Sequence, residues 1–200
     1  MQIHDEARYG QAKGLEALIK TGVNVNIRDD VGQTPLHLAA ANGFLKCVEI
    51  LLQNKANIDL PDMFGSTPLL HAVERNQFLI VKYLLDHGAD IEGDNGENCL
   101  LLASKNGYIE IAVLLLERGV NVNCEDFDGL TPLCNVVCEG NISMAKILLE
   151  KGADVNQSNI DGETPLFCAH SMMDRLKKIA ELLKQHGAKE KAPPYSSKGQ

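Results

Sequence analysis

Apolar and polar positions along residues 29–61 describe two short helices separated by a turn. Leu36, Ala39 and Ala40 make the apolar side of the first, and Val48, Leu51 and Leu52 repeat the i, i+3, i+4 spacing on the second. Thr34 is placed to cap the first helix, its hydroxyl accepting from an otherwise unpaired amide, and Pro35 suits the first turn. Asn42-Gly43 predicts its stop, because glycine tolerates the left-handed conformation a helix end requires. Lys55-Ala56-Asn57-Ile58-Asp59 then reads as an extended connection to Asp62. Neither helix can cover its own apolar side, so the pattern demands a neighbour.

The chain supplies that neighbour by repetition. GQTPLHLAA starts at Gly32, GSTPLLHAV at Gly65, GLTPLCNVV at Gly129 and GETPLFCAH at Gly162. The first two and the last two are each 33 residues apart. The 64 residues between Gly65 and Gly129 hold two units less two residues, with Gly96 opening the missing copy, GENCLLLAS. A period of this length predicts a solenoid of stacked units, each too small to fold alone.

Each unit also ends alike: LLDHGADIE (Leu84–Glu92), LLERGVNVN (Leu115–Asn123) and LLEKGADVN (Leu148–Asn156). With the Thr-Pro-Leu-His phrase and the glycine after the first helix, these endings closely resemble the ankyrin repeat family. The match runs from residue 3 to about 188. The resemblance implies an all-α repeat solenoid, stacked helix-turn-helix units joined by β-hairpin loops. It divides residues 1–188 into one domain of six units: an N-terminal cap (1–28), 29–61, 62–92, 93–125, 126–158 and a C-terminal cap (159–188). In the first unit Ile3-His4 take the Leu-His place and Gly10 the interhelix glycine. The fourth unit is irregular: Asn98-Cys99 replace Thr-Pro and its loop is two residues short, which predicts a notch in the line of loops. About two extra residues fall near Ser171–Arg175, and 189–200 reads as a flexible tail. Its Pro193-Pro194-Tyr195 lacks the residue a WW ligand needs between Pro and Tyr.

Composition narrows the class. With 44% hydrophobic residues, 4% aromatic and no Trp, the core has to be built from Leu, Ile, Val and Ala. The longest apolar runs, Cys99–Ala103 and Ile111–Leu116, are far short of a membrane span. MQIHDEARYG has neither the basic start nor the apolar stretch of a secretion signal, and six cysteines then read as reduced thiols. A cytoplasmic or nuclear location is expected. The net charge of −8 is uneven: +1 over residues 1–28, −11 over 29–158 and +2 over 159–200. An acidic centre argues against a nucleic-acid ligand, which needs a basic stripe.

Candidate chemistry is sparse. Cys134 and Cys138 lie at i, i+4, with Cys168 and His170 in the next unit. The ligand types would suit zinc. No paired Cys-x-x-Cys occurs, and cysteine filling small buried positions is the preferred reading. His37 stands where the family uses histidine to brace a loop, and His71 is offset from it by one. His4, His87, His170 and His186 have no Ser or Cys partner at a recognisable spacing, and no phosphate-binding glycine loop occurs. Hence no catalytic residue, cofactor or metal is expected, and the chain reads as no enzyme. The resemblance also implies that Asn123 and Asn156, eight residues after Leu115 and Leu148, have the spacing of hydroxylated loop asparagines; hairpin stabilisation is preferred.

The resemblance further implies a protein partner on the concave side, held by loop tips and first helices. The family's variable positions fall on Val31 and Gln33; Met63, Phe64 and Ser66; Asp94 and Asn95; Phe127, Asp128 and Leu130; and Ile160 and Asp161. The helices add Asn42, Glu74, Arg75, Lys105 and Glu139. Val31, Met63, Phe64, Phe127, Leu130 and Ile160 are apolar where the unit itself needs nothing apolar. Acidic neighbours (Asp62, Asp94, Asp126, Asp128, Asp161) predict a partner with a basic rim around an apolar core. A monomeric adaptor, inhibitor or scaffold with no membrane role is expected. The alternatives are a recruiting or regulatory subunit for a separate ubiquitin ligase, kinase or hydroxylase, or an effector of an intracellular bacterium.

Overall fold

Threonine followed by proline starts helices here as the sequence predicts. In the computed structural model, which describes residues 2–91, 99–171 and 177–190, Thr67 Oγ1 accepts from the Leu70 amide at 3.3 Å and Thr131 Oγ1 from Cys134 at 3.2 Å. Thr164 does the same for Phe167 at 3.3 Å. The described residues form helices α1 (Gln2–Arg8), α2 (Ala12–Lys20), α3 (Pro35–Ala41), α4 (Leu45–Gln53), α5 (Pro68–Glu74) and α6 (Phe78–Asp86). They continue with α7 (Cys99–Lys105), α8 (Ile109–Glu117), α9 (Pro132–Glu139), α10 (Ile142–Glu150), α11 (Pro165–Ser171) and α12 (Lys177–Gln185). None is long and apolar enough to cross a membrane.

The chain divides into two compact halves, Met1–Cys99 and Leu100–Gln200. Within the first, α1 packs on α3 and α3 on α5, while α2 packs on α4 and α4 on α6. Within the second, α9 packs on α11 and α10 on α12. First helices therefore stack on first helices and second on second, the arrangement a 33-residue period requires. Leu15, Leu36, Leu51, Leu69, Ile80 and Leu84 fill the core of the first half; Leu100, Ile111, Leu115, Leu133, Met144 and Leu148 fill that of the second. Each such side chain contributes roughly 1.5–3 kcal/mol by leaving water. Leu52, one residue beyond the core leucine of α4, is only half-buried.

No β-strand occurs among the described residues. The loops keep a hairpin turn without a ladder: the Asp29 amide donates to the Gln33 carbonyl at 2.9 Å and the Asp62 amide to Ser66 at 2.9 Å. One closing bond of this kind is too little for a strand.

Among the described residues thirteen glycines hold a positive φ, and two other residues join them: Lys55 at 66° and Asn76 at 54°. Lys55 stands where other units carry Gly22, Gly88, Gly119, Gly152 and Gly187, at each of which an added Cβ would meet nothing within 4 Å. The left-handed backbone alone therefore asks for glycine at this position, and lysine fits at the cost of strain. Lys55→Gly is expected to stabilise the protein by about 1 kcal/mol, read as a higher urea midpoint at unchanged slope. A lower midpoint would overturn this account.

The short loop of the fourth unit with its capping Asn98 lies outside the described residues, as do residues 172–176 of the expected insertion and 191–200 of the tail.

Candidate protein-binding surface

Each described loop tip is built by one side chain. Asp29 Oδ1 accepts from the amides of Val31 at 3.1 Å and Gln33 at 2.8 Å, while the Gly32 amide donates to the Asp29 carbonyl at 2.9 Å. Asp62 repeats this with Phe64 (2.8 Å) and Ser66 (3.0 Å), Asp126 with Asp128 (3.0 Å) and Leu130 (2.8 Å). In the last unit Asn159 takes the same part toward Asp161 (3.1 Å) and Glu163 (2.9 Å). A carboxylate or amide oxygen that bonds the backbone two and four residues ahead folds the intervening residues outward. The two residues after each organising side chain thus become the tip.

Adjacent tips touch through their backbones. The Met63 amide donates to the Val31 carbonyl at 3.1 Å, and the Ile160 amide to the Asp128 carbonyl at 3.1 Å. Here glycine is needed for space as well as conformation, since a Cβ on Gly32 would lie 2.8 Å from the Met63 nitrogen. Met63 and Ile160 each lay part of the side chain over the neighbouring tip's glycine, yet most of each tip side chain faces solvent: Met63 is 70% exposed, Phe64 75%, Phe127 83%, Ile160 72% and Val31 42%.

Val31, Met63 and Phe64 gather in the first half and Phe127 and Ile160 in the second, with exposed Asp128 and Asp161 beside the latter pair. Asn42, Glu74, Arg75, Lys105 and Glu139 are exposed at the ends of first helices. Gln33, Ser66 and Leu130 are half-buried, and the backbone carbonyls of the first two also anchor the loops. The Gln33 carbonyl accepts from His4 Nε2 at 3.1 Å, and the Ser66 carbonyl from His37 Nε2 at 3.0 Å. Asp94 and Asn95 lie outside the described residues. Asp62 leaves the expected acidic rim: it is buried at 6% exposure, bonded to the tip amides and to His71 Nε2 at 2.9 Å. Burial pushes its carboxyl up, but the bonds from His71, Phe64 and Ser66 outweigh that and hold it below the usual range.

His37 braces the loop of the next unit. Its Nδ1 accepts from the Thr34 amide at 3.1 Å, so the proton sits on Nε2, which donates to the next unit. Burial pulls its pKa down to about 4, a loop histidine kept neutral. His71 stands edge-on to it, ring centroids 5.3 Å apart. The loop asparagines likewise have structural work. Asn123 Oδ1 accepts from the Asp154 amide at 2.8 Å and Asn156 Oδ1 from Lys189 at 2.8 Å, each one unit further on. Asn26 and Asp59 make the same link to Asn57 and Asp90, at 2.7 and 2.8 Å.

Among the described residues, three exposed large apolar side chains fall outside the expected surface: Tyr9 and Leu79, both 66% exposed, and Ile27 at 40%. Leu79 is hidden in the apolar run FLIV, where periodicity cannot tell an outward leucine from an inward one. No group of three metal-ligating side chains comes together among the described residues.

Comparison with known proteins agrees with this architecture. The family model described as ankyrin repeats (3 copies) matches residues 3–95, 55–126 and 100–193. The human ASB11 ankyrin repeat domain is similar, with a TM-score of 0.85 and 30% identity over 96% of this chain and 86% of that one. So is the ankyrin repeat domain of Bcl-3, described as a unique member of the IkappaB protein family, at a TM-score of 0.86 and 28% identity over 94% of this chain and 87% of that one. No curated protein matches in a direct sequence search. With its repeats, their stacking and their loop turns in place, the chain belongs to the ankyrin repeat family.

Proposed function

We propose that this chain is a non-enzymatic adaptor, inhibitor or scaffold that holds a protein partner on its loop tips and first helices. Ankyrin repeats are in general non-catalytic protein–protein interaction modules. The observation that carries the reading for this chain is the exposure of Met63, Phe64, Phe127 and Ile160 on turns whose geometry another residue enforces. The fold does not need those side chains to be apolar, and water disfavours them there. Large apolar anchors beside charge are what interfaces use, and aromatic side chains dominate their energetics. Exposed Asp128, Asp161 and Glu74 favour basic groups around the partner's apolar centre. We place the protein as a monomer in the cytoplasm or nucleus, with 1–188 as one six-unit domain.

A pull-down that compares the wild type with a Phe64→Ala/Phe127→Ala variant tests this. Truncation of a central aromatic anchor costs about 2 kcal/mol or more, roughly 30-fold in affinity. Specific partners should therefore be lost while circular dichroism is unchanged. Equal recovery by both proteins would sink the proposal. Lys146→Glu, on the exposed side of α10, serves as the control and should leave recovery unchanged.

A further inference from the structure

Among the six cysteines, two stand apart. Cys47, Cys99 and Cys134 are buried, and burial pushes each thiol up, Cys99 to about 12, where a thiolate is negligible at neutral pH. Cys134 fills the place His37 takes in the second unit and hydrogen-bonds Thr131. Cys138, one turn further along α9, is half-exposed instead. Across the contact between α9 and α11 it meets Cys168, and the two thiols hydrogen-bond one another. Cys168 is buried, at 7% exposure.

We propose that Cys138 and Cys168 form a peroxide-oxidisable pair that closes into a disulfide, stapling the fifth unit to the sixth. The arrangement has the two parts such chemistry requires. Half-buried Cys138 is the one that meets the oxidant, and buried Cys168, hydrogen-bonded to it, resolves the product. The hydrogen bond from Cys168 stabilises the Cys138 thiolate and draws its pKa to about 7, against opposing effects of burial, Glu139 and Glu163. Cys168 shifts the other way, because its proton is held by that same bond.

The chemistry balances with hydrogen peroxide as oxidant. The Cys138 thiolate attacks one peroxide oxygen; the S–O bond forms, the O–O bond breaks and hydroxide leaves, giving a sulfenic acid. Cys168 then gives up its proton and its sulfur attacks Cys138 sulfur. The S–S bond forms, the S–O bond breaks and water leaves. Two electrons have passed from the thiol pair to the peroxide. Both sulfurs belong to first helices that pack on one another, so the bond joins neighbouring units.

The full chain, reduced and then treated with hydrogen peroxide, should lose two hydrogens in intact mass. Peptide mapping should place a single cross-link between Cys138 and Cys168. Oxidation should raise the thermal midpoint, and a thiol reductant should reverse both changes. Cys168→Ser should instead accumulate a sulfenic acid at Cys138 that a dimedone probe traps. Cys134→Ala should oxidise like the wild type. Either of two results would overturn the proposal: a link through another cysteine such as Cys124, including one between chains, or progressive oxygenation of Cys138 in the wild type while Cys168 stays reduced.

Discussion

Acidification from pH 6.5 to 4 is expected to remove about 3 kcal/mol of folding stability through His37. The cause is burial first, and the Ser66 bond, which favours the charged form, only partly offsets it. In the unfolded chain this imidazole takes up its proton near 6.5, whereas in the folded protein it resists until about 4. Between those values the unfolded state binds more protons, so stability climbs with pH. The contribution is fully present above 6.5, is lost as pH falls, and changes no further below about 4. His37→Leu is the informative variant, since the equivalent position holds Leu70 in the third unit and Leu101 in the fourth. It should be less stable at pH 7, having left the Thr34 amide and Ser66 carbonyl without their bonds. Its urea midpoint should also fall less steeply on acidification. Parallel decline of the two proteins across that range would show that His37 is not the group responsible. Asp62, held below the usual carboxylate range, adds a loss at lower pH still, as its bonds to the tip amides and His71 fail on protonation.

Leu51→Ala should cost about 3–4 kcal/mol, a large share of the stability of a chain this size. Leu51 has no exposed surface and sits on α4, which packs on both α2 and α6. Removing its branched end leaves a cavity in a layer whose neighbours are themselves short helices, unable to collapse without breaking the stacking. Leu52→Ala, half-buried on the same helix, should cost less than half as much. Urea denaturation of the pair measures the difference. Equal losses would mean that the inward side of α4 has been misidentified.

These two side chains also mark how far the sequence was legible. The i, i+3, i+4 pattern located both helices of the second unit, yet it placed Leu51 and Leu52 on one buried face. Only the stacked neighbours distinguish the fully covered leucine from its half-covered successor. The tips behave in the same way. Asp-x-x-Gly announces a turn because its bonds join residues two to four apart, and Phe64 and Phe127 could be read as outward from that alone. That Asp62 is buried while its equivalents Asp29 and Asp126 are only half-buried goes with His71 reaching it from α5.

Caps, turns and the 33-residue period follow from residues near one another in the chain: Thr before Pro, an organising Asp or Asn, glycine at a left-handed backbone. Those interactions close within a few residues, so their chemistry is visible in a linear reading. The bond from His37 to Ser66, 29 residues on, the tip contact between Val31 and Met63, and the meeting of Cys138 with Cys168 do not close locally. Each depends on the register in which one unit lies against the next. Packing between helices, rather than local propensity, sets that register. For that reason only the tertiary structure brings the Gln33 and Ser66 carbonyls to the histidine braces, and two of six similar cysteines to one another.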